Sequence, residues 1–126
     1  MYVIFTNNIV SLGEIKDWQL AASSVVSRGT DPDCAVKYAR LHAYGSRAWC
    51  PEHLKQGEWI LVDLGVESEV AAVMTQGRDG FEHWVTHFII SYSQDAYRYK
   101  QSLMSSPYEF KLNTHFYYFQ ENNVCL

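Results

Sequence analysis

The hydrophobic residues in the middle of the chain are spaced as in β-strands. Residues 59–64 are apolar on both faces apart from Asp63, which is typical of a strand covered on both sides. Gly65 is predicted to end this strand. A second short strand is predicted over residues 70–76, closed by Gly77.

A third segment, residues 84–92, alternates more clearly. Trp84, Phe88, Ile90 and Tyr92 fall on one face of a strand, and a half-buried strand turns such a face inward. Short strands separated by glycine-containing turns predict an all-β sandwich or barrel.

The two ends of the chain are less regular. Residues 27–33 are rich in turn-forming residues and are predicted to be a loop. Residues 36–42 fit either a turn of helix or a short strand. In the tail, residues 110–118 alternate as a strand does, but Tyr117 and Phe119 make its other face apolar, so an exposed strand here would be prone to association.

Size and charge limit the classes of function. The 126 residues suffice for one domain with a single core. The formal net charge of −4 argues against a general nucleic-acid binder, which needs a basic face. No apolar run approaches the roughly 20 residues of a membrane helix. The first residues have neither the basic start nor the long apolar run of a signal peptide.

Candidate catalytic and metal-binding groups are weak in this sequence. A Cys50/His53 pair is conceivable as a thiol nucleophile with its base, but Pro51 lies between them. His83 and His87 have a ligand spacing only on a helix, because four residues of strand span about 13 Å. The acids of residues 31–33 are more typical of a turn than of a calcium site. We therefore predict no enzyme activity, no metal and no cofactor.

Five short blocks, in order, resemble the discoidin domain, also called the coagulation factor V/VIII type C domain. The match extends over about residues 11–100, after a segment 1–10 that we expect to be an N-terminal extension. The blocks are Leu12-Gly13, Ala22-Ser23-Ser24, Tyr38-Ala39-Arg40-Leu41, Val62-Asp63-Leu64-Gly65 and Thr75-Gln76-Gly77-Arg78. Three further segments fit the family's order and spacing: Ala48-Trp49-Cys50-Pro51, Trp84-Val85-Thr86 and Ile90-Ser91-Tyr92-Ser93.

The resemblance implies a discoidin-like β-sandwich or jelly-roll barrel over residues 11–126 that binds ligands through loops at one end. Two features depart from the family. Position 10 is Val where a cysteine is usual, and the tail 101–126 lacks the family's closing strands. An incomplete C-terminus with unpaired sheet edges is therefore expected.

By block position, three loops correspond to the family's binding loops: loop 1 (residues 25–33), loop 2 (43–47) and loop 3 (78–82). Apolar residues at loop tips indicate contact with a partner, and arginine suits carboxylate and phosphate. Arg78 fits a structural salt bridge equally well. The predicted ligand-binding residues are Val25, Val26, Arg28, Tyr44, Arg47, Arg78 and Phe81.

Other residues are predicted to be structural. Asp63 needs a partner if it is buried, and Arg40 is our candidate. Trp49, Trp59 and Trp84 are predicted to lie in the core. The resemblance implies an internal disulfide at Cys50, with Cys34 as one possible partner, but the sequence leaves the connectivity of Cys34, Cys50 and Cys125 open.

The leading hypothesis is an extracellular, cell-surface type of binding and adhesion module for a protein, collagen-like matrix or glycan ligand. A second hypothesis is peripheral binding of phosphatidylserine membranes by the same loops. A small thiol enzyme and a truncated domain without independent function are the remaining alternatives. The acidic balance of the chain ranks protein ligands above membranes.

Overall fold

The structure is a computed structural model and describes residues 2–5, 15–26, 30–41, 43–101 and 112–125. The predicted all-β class is confirmed. The strands are β1 (Tyr2–Phe5), β2 (Leu20–Ala22), β3 (Trp59–Met74), β4 (Trp84–Ser93), β5 (Lys100–Gln101) and β6 (Leu112–Cys125). Two 3₁₀ helices, Asp17–Gln19 and Val36–Tyr38, complete the regular elements of the described residues. The second helix answers the question that the sequence left open over residues 36–42.

One six-stranded sheet has the order β1-β3-β6-β4-β5, with β2 also paired to β3, and the described strand pairings within this sheet are antiparallel. β6 pairs with β3 on one side and with β4 on the other. The tail therefore supplies an interior strand of the sheet, where we had expected unpaired edges. Tyr2–Phe5, which we expected to lie in an extension, pair with the second half of β3.

We had predicted that Gly65 ends a strand, and this prediction is wrong. β3 runs through it from Trp59 to Met74, and its pairing with β6 shifts register between Asp63 and Ser68. The backbone φ of Gly65 is +73°, a region that glycine enters without steric cost. The glycine thus permits a local irregularity within one long strand instead of separating two short ones.

The inward face predicted for β4 is correct only in part. Ile90 is buried, and Phe88 and Tyr92 pack against the core. Trp84 is 48% exposed, so the prediction that it is a core residue is wrong. The pairing of β4 with β6 shifts register just after Val85, and this irregularity interrupts the strict alternation on which the prediction relied.

The core lies mainly on β3. Its buried side chains are Ile15, Leu20, Ala39, Ile60, Val62, Leu64, Val70 and Ile90. Trp49 packs against this cluster, in line with its predicted core role, and Trp59 is half-buried. Within the part of the chain that the structure describes, no helix is long and apolar enough to span a membrane.

Candidate functional site

Backbone hydrogen bonds and one disulfide join loops 1 and 2 at the end of the sheet where β3 begins. Ala48 N–H donates to the carbonyl of Asp33 (3.0 Å), and Ala35 N–H donates to the carbonyl of Ala48 (3.0 Å). Cys34 is bonded to Cys50, with 5.3 Å between their Cα atoms. This disulfide agrees with the pairing that the sequence left as one possibility. It also removes the Cys50 thiol, so a Cys50/His53 nucleophile is not available in this structure.

Arg78 connects all three loops. Its Nη2 lies 2.8 Å from Oδ2 of Asp31 in loop 1, and its Nε donates to the carbonyl of Ser46 in loop 2 at 2.7 Å. Its guanidinium carbon lies 4.0 Å from the ring centroid of Phe81 in loop 3. The side chain is only 6% exposed, so nearly all its donors face the protein. Arg78, predicted as a ligand contact or a structural salt bridge, is placed here as a positioning residue.

The electrostatics of this site follow from that contact. The hydrogen bond from Arg78 lowers the pKa of Asp31 below its ordinary value, against a smaller opposing effect of burial. The carboxylate is therefore ionised at neutral pH, and the pair it forms with Arg78 is a charged one. Asp31 also accepts a hydrogen bond from the backbone N–H of Asp33 (3.1 Å), which shapes the turn at the end of loop 1.

Asp33 organises loop 2. Its Oδ2 accepts a hydrogen bond from the Ser46 hydroxyl at 2.9 Å, and its Oδ1 lies 3.6 Å from Nε of Arg47. The side chain of Arg47 is 45% exposed, and its guanidinium lies 5.1 Å from the ring centroid of Tyr38. The contact of Arg47 with Asp33 is long and exposed, so Arg47 is the more accessible of the two described loop arginines.

Two of the predicted aromatic contacts lie on the surface at this end. Tyr44 is 87% exposed, and Phe81 is about half-exposed with one face against Arg78. Val25 and Val26 are half-buried. Arg28 lies outside the described residues. The structure thus brings the described candidates to one region, but only Tyr44, Phe81 and Arg47 are well exposed.

A buried carboxylate beneath the loops was missed by the sequence reasoning. Oε2 of Glu58 accepts hydrogen bonds from the hydroxyls of Ser23 (2.5 Å) and Ser24 (2.6 Å). The Ser24 carbonyl in turn accepts from Nε1 of Trp49 at 2.9 Å. The signal was present in the recurrent block Ala22-Ser23-Ser24, but the sequence alone does not show which acid these hydroxyls meet.

These two hydroxyls favour the ionised form of Glu58. Burial raises the pKa of the carboxyl, whereas the hydrogen bonds from Ser23 and Ser24 and the nearby side chains of His53 and Lys55 lower it, and the net result is a pKa below the ordinary value. Ser24 also accepts a hydrogen bond from the backbone N–H of Glu52. The network therefore joins the end of β2 to the chain that follows the disulfide.

Arg40 and Asp63, which were predicted to pair with each other, each have another partner in the structure. Nη2 of Arg40 lies 2.9 Å from Oδ1 of Asp17 and donates to the carbonyl of Ile15. Asp63 accepts a hydrogen bond from the Gly65 N–H at 2.7 Å. The contacts seen therefore give no support to an Arg40–Asp63 pair. Among the described residues, no three His, Cys, Asp or Glu side chains are grouped so that they could hold a metal ion.

Comparison with known proteins gives a consistent result. The family model of the F5/8 type C domain matches residues 19–116, so the similarity starts later and continues further than the predicted range of about residues 11–100. The chain is 37% identical over 90 residues to mouse EGF-like repeat and discoidin I-like domain-containing protein 3, and 36% identical over 90 residues to the human protein of that name. Each match covers 67% of this chain and 18% of the relative, so the chain corresponds to a small part of these relatives.

Proposed function

Because the chain belongs to the F5/8 type C (discoidin) domain family, whose domains generally mediate binding of proteins, lipids or glycans, we propose that it is an extracellular adhesion module. In this proposal the three loops recognise a protein, collagen-like matrix or glycan ligand. The mechanism is presentation of fixed side chains on a rigid scaffold, and it includes no chemical step.

The observation that supports the proposal is that the loop backbones are fixed by internal contacts whereas the side chains at the loop tips are exposed. Arg78, the disulfide and the Asp33 contacts fix the loop backbones, while Tyr44 and Phe81 stay exposed to solvent. Exposed aromatic side chains on a preorganised backbone lose little conformational entropy on binding, which favours affinity.

Local charge supports a protein or glycan ligand over a membrane. The three loops together carry three arginines and four acids, Asp31, Asp33, Asp79 and Glu82. Arg78 is already paired with Asp31 inside the protein. Attraction to an anionic membrane surface grows with each cationic side chain that is not neutralised by a neighbouring acid. This attraction would therefore be weak for the three loops.

The experiment is binding of the folded chain to immobilised collagen and a panel of other matrix proteins and glycans. Tyr44→Ser and Phe81→Ser remove the exposed rings, and each is expected to weaken binding at least about fivefold. Tyr97→Ser is the matched control, because Tyr97 is 89% exposed but follows the opposite end of β4. An equal loss in the Tyr97 variant, or unchanged binding in both loop variants, would contradict the proposal.

The membrane alternative is tested by co-sedimentation with vesicles of phosphatidylcholine, with and without phosphatidylserine. Pelleting that depends on phosphatidylserine and is lost in Phe81→Ser would replace the protein ligand by the membrane. A cooperative near-UV circular dichroism melt of the same preparation checks that the chain folds as a domain, which excludes the truncated-domain alternative.

A further inference from the structure

An apolar pocket opens between loops 2 and 3 and the start of β4, away from the tips of Tyr44 and Phe81. Its volume is about 150 Å³. The residues that matter for the argument are Trp49, Leu54, Ile60, Trp84, Val85 and Phe88. We name it the anchor pocket.

The inner wall of the anchor pocket is fixed. Ile60 is buried on β3, and Trp49 is held by the hydrogen bond from its indole N–H to the Ser24 carbonyl. The neighbouring Cys50 is tied to Cys34. A pocket with such walls is largely preformed and needs little rearrangement to admit a ligand group.

The mouth of the anchor pocket is bordered by two large apolar side chains that the fold leaves half-exposed. Leu54 and Trp84 are each 48% exposed, although Phe88, Ile90 and Tyr92 on the same strand as Trp84 pack into the core. A ligand group inserted into the pocket would bury this exposed apolar surface, and the burial would contribute favourably to the free energy of binding.

The volume indicates what fits. Whole small-molecule ligands occupy pockets of roughly 300–1,000 Å³. A cavity of 150 Å³ accommodates a group the size of benzene. The anchor pocket therefore suits a single ring that projects from a larger ligand, and it is too small for a lipid acyl chain.

The charged residues at the rim of the pocket further restrict the kind of ligand that fits. The charges of Arg40 and Arg78 are compensated by Asp17 and Asp31 at 2.9 and 2.8 Å, whereas the acid beside Arg47, Asp33, lies 3.6 Å away and the Arg47 side chain is 45% exposed. Asp79 is the acid on the rim and lies on loop 3, whereas Arg47 lies on loop 2. A ligand carboxylate therefore has a favourable partner on the loop 2 side.

We propose that the anchor pocket binds one aromatic side chain of a protein ligand, next to an acidic residue of that ligand which pairs with Arg47. The inference rests on the proposed adhesion function and narrows its ligand to a protein with an exposed acidic-aromatic segment. The inserted ring lies against Trp84 and Phe88, with Ile60 beneath it.

The test uses three blocked tetrapeptides, Gly-Glu-Phe-Gly, Gly-Gln-Phe-Gly and Gly-Glu-Ala-Gly, observed by saturation-transfer NMR with the whole chain. Saturable transfer to the phenylalanine ring protons is expected. The alanine peptide should bind at least about tenfold more weakly, since it lacks the ring. The glutamine peptide should bind about two- to fivefold more weakly, in keeping with an exposed ion pair. Absence of saturable ring transfer would overturn the inference.

Variants separate the pocket from other apolar surface. Val85→Phe fills the pocket and should abolish ring transfer. Leu54→Ala removes apolar surface at the exposed mouth of the pocket and leaves the core unchanged. It should weaken binding severalfold. This second variant keeps the test decisive if Val85→Phe does not fold. With Arg47→Gln, the glutamate and glutamine peptides should bind with equal affinity. Tyr97→Ser should leave the affinity for all three peptides unchanged. Unchanged binding in both Leu54→Ala and a folded Val85→Phe would overturn the inference.

The same variants distinguish this inference from the proposed function. If a matrix protein binds through Tyr44 and Phe81 but Val85→Phe does not weaken it, the anchor pocket is wrong and the adhesion function stands. If the peptide binds in the pocket while no matrix protein or glycan binds the chain, the pocket stands and the adhesion function fails.

Discussion

Nη2 of Arg78 and Oδ2 of Asp31 lie 2.8 Å apart, with the arginine side chain only 6% exposed. This contact joins loop 3 to loop 1, and the bond from the same guanidinium to the Ser46 carbonyl adds loop 2. The geometry of the candidate binding surface therefore depends on a side chain that is almost wholly buried.

Replacing Arg78 tests that dependence. Arg78→Gln is expected to lower the free energy of unfolding by about 2 kcal/mol, because the partly exposed Asp31 carboxylate and the Ser46 carbonyl lose a buried, charged donor. It should also weaken ligand binding through loss of loop geometry. Urea unfolding measures the first effect. Arg47→Gln is the control, and its effect should stay within about 0.5 kcal/mol because that arginine is exposed. Equal effects of the two substitutions would contradict the positioning role.

The Glu58 network predicts a pH dependence. Because hydrogen bonds hold the pKa of this carboxyl below its unfolded value of about 4.5, it contributes stability that is complete above that pH and is lost as the pH falls through the folded pKa. Glu58→Gln should cost about 1–2 kcal/mol at pH 7. Its deficit relative to the natural chain should shrink below about pH 4.5.

Urea unfolding at pH 7, 5.5 and 3.5 measures the Glu58 effect. Glu82→Gln is the matched control, since Glu82 is exposed in loop 3. A Glu58→Gln deficit that grows at acid pH, or one that Glu82→Gln reproduces, would show that the serine hydroxyls do not favour the ionised form.

The disulfide predicts a redox dependence of stability. Cys34 and Cys50 are separated by 16 residues, and closing a loop of that length is worth about 3 kcal/mol in the chain-entropy view. Addition of a phosphine reductant should lower the urea midpoint by the corresponding amount, and Cys34→Ser should lose this sensitivity. Peptide mapping without reduction should recover a linked fragment containing both cysteines. An unchanged midpoint with confirmed reduction would show that other contacts alone fix the loops.

The turn after β4 carries a strained residue. Ala96 has a φ of +62°, held there by the carboxylate of Asp95, which accepts from the N–H groups of Arg98 (2.8 Å) and Tyr97 (2.9 Å). These bonds, with one from the Ser93 hydroxyl, lower the pKa of Asp95 to about 2. Ala96→Gly should therefore stabilise the chain by about 0.5 kcal/mol, since relief of strain exceeds the added unfolded-state entropy. A thermal melt measures this, and Ala96→Val should shift it in the opposite direction.

Local pattern was sufficient to predict the class of fold, and the resemblance to a family supplied the three candidate loops, whose role in binding stays a prediction. Period-two alternation located β4 and the tail strand, because side-chain direction depends only on neighbouring residues. The irregularity beside Trp84 and the continuation of β3 through Gly65 depend on register with β6, which no local window contains. The exposure of Trp84 therefore had to be seen in three dimensions.

The roles of individual charged residues were harder to predict for the same reason. Arg78 was recognised as part of a family block, but its partners lie in two other loops. Arg40 was assigned to Asp63 because a buried acid needs a cation, yet a backbone N–H satisfies Asp63 and Asp17 lies beside Arg40. Such choices depend on distances between residues remote in sequence.

The interior position of β6 also constrains how the chain reaches its folded state during synthesis. β6 is the last of the described strands to leave the ribosome, yet β3 and β4 are joined through it. Until β6 emerges, β3 and β4 each have an unpaired edge on the side that β6 later occupies. Their pairing with β6 is nonlocal in sequence and therefore slow to form. Pairing of β3 and β4 with β6 can therefore be completed only after the tail has been synthesised.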